Sequence, residues 1–246
     1  MFGWLKKTPK NLDLKGLKHI AIIMDGNARF AKSKGLPLQM GHKMGVENIK
    51  NIVDYALQIG LPYLSLYAFS YENWQRPQSE VAYLMELLEN YLDNQLNKLL
   101  EKNIKLLICG NLNKLNANLQ QKIALAVEKS QNNTALTLNI AFSYGGRQEI
   151  LDAVIKIQQD LSLQKLDLSQ LNQEVFASYL YQPQIPNPDL LIRTAGDIRI
   201  SNFFLWQIAY TELYFINKFW PSFSALDLAK AITNFNQRTR KYGGRT

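Results

Sequence analysis

Arginine is scarce in this chain, 8 residues against 20 lysines. Four of the eight, Arg29, Arg76, Arg193 and Arg199, fall in polar or glycine-containing segments just past apolar runs. A guanidinium carries five donors in a fixed fork that matches phosphate oxygens in pairs. Its sparing use at such places points to an oxyanion site, with structural ion pairs as the bland alternative. Asp25 is the sharpest single residue, standing straight after Ile20-Ala21-Ile22-Ile23-Met24 and before Gly26-Asn27. A Gly-containing turn at a helix start offers backbone N–H groups to a phosphate. An aspartate beside it would repel that phosphate unless a divalent cation bridged the two, and Mg2+ usually takes one or two carboxylates plus phosphate oxygens. An Asx turn that merely caps the helix is the competing reading.

Other chemistries lack their residues. There is no G-x-x-x-x-G-K-[ST] nucleotide loop, no G-x-G-x-x-G and no G-x-S-x-G elbow. Two histidines, His19 and His42, and the single Cys109 cannot build an ordinary structural zinc site or a disulfide framework. His19 reads as the first residue of a strand and Cys109 as core, which leaves His42, in GHKMG, as the histidine to watch.

The elements that must position these groups alternate along the whole chain. Apolar runs at 19–24, 63–69, 104–109, 136–142, 190–193 and 213–216 read as strands. Helical spacing predicts helices over 28–34, 44–58, 78–101, 114–130, 147–160, 169–180 and 224–240, the last opened by a capping-box-like Ser224-x-x-Asp227. Strands separated by helices imply an α/β fold, a single domain with a mainly parallel central β-sheet flanked by helices. Such sheets carry their sites at the carboxyl ends of the strands. Asp25, Ser70, Ser143 and Thr194 all stand there, so one shared cleft is expected.

The chain has 246 residues and a formal net charge of +8. Lys6, Lys7, Lys10, Lys15 and Lys18 against Asp13 give residues 1–18 a net +4, and Arg238, Arg240, Lys241 and Arg245 give residues 238–246 another +4. The body is neutral, which argues against a nucleic-acid face. No apolar run reaches the roughly 18–20 residues of a membrane span. Residues 1–18 read as a basic N-terminal extension and 19–246 as the domain. Phe2, Trp4 and the neighbouring lysines could touch an anionic bilayer, with a frayed terminus as the plainer alternative.

Five segments now stand in order: HIAIIMDGNARFAKS, GHKMG, LSLYAFSYENWQRPQSEV, LNIAFSYGGR and DLLIRTAGDIRISNFFLWQIAYTELYF. Together they closely resemble the cis-prenyltransferase family, in its bacterial undecaprenyl diphosphate synthase branch, from about His19 to Gly244. The resemblance implies a Mg2+-dependent enzyme that condenses isopentenyl diphosphate repeatedly onto an allylic starter, farnesyl diphosphate. It implies a homodimer with a hydrophobic tunnel, and a cytoplasmic location, peripheral at the inner face of the membrane that receives the product. By this resemblance Asp25 serves the Mg2+–diphosphate, and Gly26, Asn27, Ala28, Arg29 and Phe30 cradle the starter's diphosphate with His42 nearby. Ser70, Tyr71, Glu72, Asn73, Trp74 and Arg76 match a mobile loop closing over the substrates, with Asn73 as an orienting hydrogen-bonder. Arg193, Arg199, Ile200 and Ser201 match the isopentenyl diphosphate pocket, and Glu212 the second metal-associated carboxylate, tied to the dimer contact. Gly243-Gly244-Arg245 matches a C-terminal segment that reaches the neighbouring subunit.

The sequence departs from the family at several places. Ala28 and Ala195 replace glycines, Phe30 a tryptophan and Asp197 a glutamate, and Ile198 stands at a frequent histidine position. Leu38 stands where many members have an arginine serving the starter diphosphate. The chemistry also sets a limit on the tunnel. Each buried five-carbon unit is worth roughly 3–4 kcal/mol. Eleven such units would exceed the affinity ceiling of about 18–21 kcal/mol, so a long product's tail must emerge.

Overall fold

The structure, a computed structural model, describes Pro9 and residues 12–240. The readings of Phe2 and Trp4 and of Gly243-Gly244-Arg245 lie outside these residues. Six strands form one sheet: β1 (His19–Ile23), β2 (Tyr63–Ser70), β3 (Ile104–Cys109), β4 (Leu136–Tyr144), β5 (Leu190–Arg193) and β6 (Glu212–Phe215). Their spatial order is β3-β4-β2-β1-β5-β6, and every pairing is parallel. A parallel strand covered on both faces has no polar side to show, and all five residues of β1 are buried.

The helices are α1 (Asn27–Ser33), α2 (Leu38–Gln58), α3 (Gln78–Glu101), α4 (Ala117–Ser130), α5 (Gly146–Ser162), α6 (Gln173–Ser178) and α7 (Ala225–Asn236). Four differ from the sequence reading by three residues or more, the mildest being α4, which begins at Ala117 and not at 114 because Asn116 caps it. α2 begins at Leu38, not at 44, straight after Pro37, and runs through both glycines of GHKMG. Those glycines look like breakers but serve packing: a Cβ on Gly41 would stand 2.3 Å from the Asn27 carbonyl oxygen. They let α1 lie against α2 with its Asn27 backbone almost touching. α6 is shorter than 169–180 because Asn172 caps it, accepting from the amides of Glu174 and Val175. α7 has the Ser224/Asp227 capping box but stops at Asn236 rather than 240.

The larger apolar cluster includes Ile20, Ile22, Leu64 and Leu66 of the sheet with Ile52, Leu92, Ile123 and Ile232 of the helices. A smaller cluster includes Tyr67, Cys109, Tyr144, Phe203 and Phe204. Of the basic extension, the described part is docked: Leu17 is buried, and Leu12 and Leu14 pack against the core. One irregularity bears on function. The β2–β4 register shifts between Tyr67 and Ser70, so Ala68 and Ser143 have no partner across the ladder. Such a bulge re-aims the end of a strand. Here it turns Ala68 outward and sets Ser70 to start a 3-10 turn over Tyr71–Gln75.

Candidate active site

A cleft of about 620 Å³ opens at the carboxyl ends of β1, β2 and β5. Asp25 lies on its floor. The β1–β5 register places Ile23 beside Arg193, so the residues just past β1 meet that guanidinium. Arg193 Nη2 donates to Asp25 Oδ2 at 2.8 Å, and Arg29 Nη2 lies 3.1 Å from Oδ1. The Asp25 backbone is fixed as well. Its N–H donates to Thr194 Oγ1 at 2.9 Å, and its carbonyl accepts from the Thr194 hydroxyl at 2.7 Å and from the Trp220 amide at 3.0 Å.

Gly26 then takes a left-handed conformation, φ +104, into α1. A Cβ there would meet the Phe219 ring at 2.7 Å, so glycine is required both for its backbone and for the space.

Arg193 is almost wholly buried, yet it organises the far wall. Its Nη1 donates to the Arg199 carbonyl and to Ser201 Oγ, both at 2.6 Å. Asp197 completes the lattice, accepting from Arg29 Nη2 at 2.7 Å and Arg199 Nη1 at 3.1 Å. The Arg29 contact above all, with Arg199, holds the Asp197 carboxyl below its ordinary range. Burial works against the charge on Arg29, but the two carboxylates outweigh it and raise its pKa. Four guanidiniums, those of Arg29, Arg76, Arg193 and Arg199, line the cleft beside two carboxylates, Asp25 and Glu72. That surplus suits a polyanion, and the guanidiniums have donors to turn towards it.

Two polar atoms here are buried without a partner, Asn27 Oδ1 and Arg193 Nε. Asp25 lines the cleft with both carboxylate oxygens against guanidiniums, so it fits a hydrated Mg2+ only where one of those contacts is exchanged and phosphate oxygens supply further ligands. No group of three or more metal-ligating side chains occurs among the described residues. A cation would therefore be held with its phosphate and not by a protein cage.

The β2 loop forms the opposite wall. Asn73 Oδ1 accepts from the Ser70 amide at 3.0 Å in a capping box, so the carboxamide oxygen is engaged, and the residue lines the cleft. Arg76 Nη1 donates to Glu80 Oε1 at 2.8 Å, and His42 Nε2 lies 3.2 Å from the same oxygen. Burial lowers the His42 pKa despite the nearby carboxylate. The cleft continues into an apolar cavity through Val46, Ile49, Ala68 and Leu84, which line both. That cavity holds only about 70 Å³ and is walled by α3 and by β2, β3 and β4.

Most residues read from the sequence converge here: Asp25, Gly26, Asn27, Ala28, Arg29, His42, Ser70, Glu72, Asn73, Arg76, Arg193, Arg199 and Ser201 all line the cleft. Five do not. The Phe30 side chain is buried beneath α1. Trp74 turns away, its Nε1 donating to Ser143 Oγ at 2.9 Å and its ring edge on Phe69. Tyr71 lies under the Lys114 ammonium, 4.2 Å from its ring centre. Ile200 packs on the smaller core cluster. Glu212 pairs with Leu190, which in turn is level with Ile20. It therefore sits near the opposite end of the sheet from Asp25, roughly 16 Å along the strands, bonded to Arg238 at 2.7 Å.

Of the four strand-end residues expected to share the cleft, Ser143 and Thr194 are buried behind it as supports. Three participants were not read from the sequence as site residues: Asp197, Glu80 and Asn202. Their one available signal was proximity to arginines or serines already suspected.

Comparison with known proteins agrees with this geometry. Residues 23–243 match the prenyltransferase family model, that of the undecaprenyl diphosphate synthases. The isoprenyl transferase of Clostridium tetani is 46% identical over 95% of this chain and 92% of its own length. The Haemophilus influenzae ditrans,polycis-undecaprenyl-diphosphate synthase ((2E,6E)-farnesyl-diphosphate specific) is 46% identical over 92% of this chain and 95% of its own. The crystal structure of lavandulyl diphosphate synthase from Lavandula x intermedia with dimethylallyl diphosphate superposes with a TM-score of 0.91. It is 36% identical over 94% of this chain and 100% of that one. An arginine-walled cleft opening into an apolar cavity thus goes with a match over nearly the whole chain, and the protein belongs to the undecaprenyl diphosphate synthase family of cis-prenyltransferases.

Proposed function

We propose that this prenyltransferase condenses isopentenyl diphosphate onto farnesyl diphosphate with Mg2+, building a long Z-polyprenyl diphosphate of the undecaprenyl class. The observation that carries the reading is the junction of two environments. Arg29, Arg193 and Arg199 surround Asp25 in a polar cleft, and Val46, Ile49, Ala68 and Leu84 connect that cleft to an apolar cavity. A molecule with a diphosphate head and a hydrocarbon tail matches both parts.

In this reading Arg29 and the Gly26-Asn27 turn hold the starter's diphosphate, and Arg199 and Ser201 hold that of isopentenyl diphosphate. Bound Mg2+, held by Asp25 and phosphate oxygens, would add charge neutralisation of the diphosphate. The allylic C–O bond breaks and its electron pair leaves with diphosphate. The isopentenyl double bond supplies the pair for the new C–C bond, and a proton leaves to a diphosphate oxygen or water. The guanidiniums meet charge where it develops, usually the largest single contribution to rate. Asn73, its oxygen spent on the Ser70 amide, has an NH2 to orient a substrate oxygen.

A homodimer and delivery to a membrane belong to the same proposal. On α5, Leu151, Val154 and Ile155 are 57%, 49% and 54% exposed and form one apolar row. Such a row suits a second copy of the chain. Glu212 enters the reading through that dimer contact only. No helix among the described residues is long and apolar enough to cross a membrane. A product of this class would therefore pass from the cleft to a bilayer at the surface.

The test is incubation with farnesyl diphosphate, labelled isopentenyl diphosphate and Mg2+, with and without EDTA, followed by sizing of the products. Label in a ladder of prenyl products, lost with EDTA, is expected. Absence of incorporation with Mg2+ present overturns the enzyme reading, and products of another size reassign the product alone.

A further inference from the structure

Asn202 lies at the meeting point of three segments. Its backbone carbonyl accepts from the Gly146 amide at 2.7 Å, and its Oδ1 accepts from the Arg147 amide at 2.9 Å. These are two of the free donors at the start of α5. Its Nδ2 donates to Glu72 Oε1 at 2.7 Å, across 130 residues of chain. The neighbour, Ser201, carries the hydroxyl held by Arg193. Ser201 and Asn202 are both left-handed, φ +47 and +62. Two adjacent non-glycine residues in that region are strained and persist only where surrounding contacts fix them. Gly145 shows how closely the joint is packed. A Cβ on it would stand 2.9 Å from Asn202 Nδ2 and 3.3 Å from the Tyr71 Cβ.

We propose that Asn202 is a positioning residue: its amide clasps Glu72 to the α5 start and so registers the loop bearing Asn73 and Arg76 against the Arg193–Ser201 wall. The consequence for turnover rests on the prenyltransferase reading, while the clasp itself does not. Polarity runs one way through the joint. Asn202 uses its oxygen on the helix and its NH2 on a carboxylate, and each half can be altered separately.

Asn202→Asp keeps an acceptor for Arg147, at a helix start that favours negative charge. It turns the other contact into two facing carboxylates. Glu72→Gln alone leaves an oxygen to accept from Asn202. Glu72→Gln combined with Asn202→Asp restores the contact with donor and acceptor exchanged and total charge unchanged.

The measurements are kcat and KM for isopentenyl diphosphate, thermal stability, and hydrogen exchange of the Tyr71–Gln75 amides. Asn202→Asp is expected to lower kcat/KM by about tenfold or more through like-charge repulsion, to speed exchange in Tyr71–Gln75 and to leave the melting temperature nearly unchanged. Glu72→Gln is expected to cost severalfold at most, and the double variant to recover most of both readouts. Gly145→Ala, which presses on the amide without touching charge, is expected to speed exchange in the same segment.

A double variant no better than Asn202→Asp, or unaltered loop exchange in Asn202→Asp and Gly145→Ala, overturns the proposal. Failure of the wild-type protein to incorporate isopentenyl diphosphate would overturn the functional reading instead, and the exchange data would still decide the clasp.

Discussion

Arg193 meets Asp25 at 2.8 Å because β5 and β1 are paired with Ile23 level with Arg193. The contact is therefore a product of sheet register and not of a flexible surface. The Arg193 side chain is only 4% exposed, and its fork is divided among Asp25, Ser201 and the Arg199 carbonyl. Lysine keeps the charge but has no planar fork to serve all three. Arg193→Lys is expected to lower kcat/KM about 10²–10³-fold, the usual loss for a preorganised donor. Arg199, 61% exposed and bonded to Asp197, makes a useful contrast. Arg199→Lys should cost about tenfold, mainly in KM for isopentenyl diphosphate. Equal losses for the two would show that position in the sheet does not matter.

Asn73 separates orienting from proton transfer. Asn73→Asp keeps an oxygen to accept from the Ser70 amide, so the turn survives, but it loses the NH2. Asn73→Ala loses both. With Asn73 as an orienting donor, both variants are expected to fall at least about tenfold in kcat, a hydrogen bond of roughly 1.5–3 kcal/mol to a charged group being lost. Strong activity in Asn73→Asp beside an inactive Asn73→Ala would instead make this residue the proton acceptor, since a carboxylate is a far better base than an amide.

Ala68 stands where the cleft meets the cavity. The β2 bulge turns this small residue outward, and it lines both spaces. The cavity of about 70 Å³ is far smaller than a long prenyl chain. A growing chain must therefore push aside α3 side chains such as Leu84, Leu88 and Tyr91. Ala68→Leu adds three carbons at the mouth. The expected result is a shorter product distribution and a raised KM for farnesyl diphosphate, with KM for isopentenyl diphosphate little changed. An unaltered product ladder would mean that the tail takes another path.

How much of this could be read beforehand follows from where each residue's role originates. Asp25, Arg193 and Ser70 were legible because strand ends are local events: an apolar run, then a polar residue beside glycine or before an aromatic loop. The parallel sheet was legible for the same reason. Asn202 was not, since what it does depends on a partner 130 residues away, and of Glu80's two contacts only the one to Arg76, four residues before it, was local. Phe30 and Trp74 were read as substrate contacts from motif membership alone, and packing sends one under α1 and the other onto Phe69 and Ser143. The α2 start was misplaced because a glycine's avoidance of a clash is invisible until the opposing backbone is known.

His19 gives a prediction about stability that is independent of catalysis. Its Nδ1 lies 2.6 Å from the Pro186 carbonyl, which can only accept, so Nδ1 carries the proton. Nε2 then accepts from the Ser65 hydroxyl at 2.8 Å, and Ser65 Oγ accepts from Asn139 Nδ2 at 3.0 Å. The chain of bonds is complete with the imidazole neutral, and a second proton would face the Ser65 hydrogen. Burial lowers the His19 pKa to about 4, against the pull of Pro186 and Asp189. The unfolded chain binds that proton near pH 6.5 and the folded one only near 4, so the contribution is whole above about 6.5 and is lost as pH falls. At pH 5 the loss is about 2 kcal/mol, approaching about 3 kcal/mol at pH 4. Carboxylates and His42 add their own slopes, so the comparison is with His19→Gln. Urea unfolding at pH 7 and pH 5 should give a variant less stable at pH 7, its further loss at pH 5 smaller than the wild-type loss by about 2 kcal/mol. Equal pH dependence in the two proteins would mean that His19 already carries its charge in the folded state, and the neutral hydrogen-bond chain would be wrong.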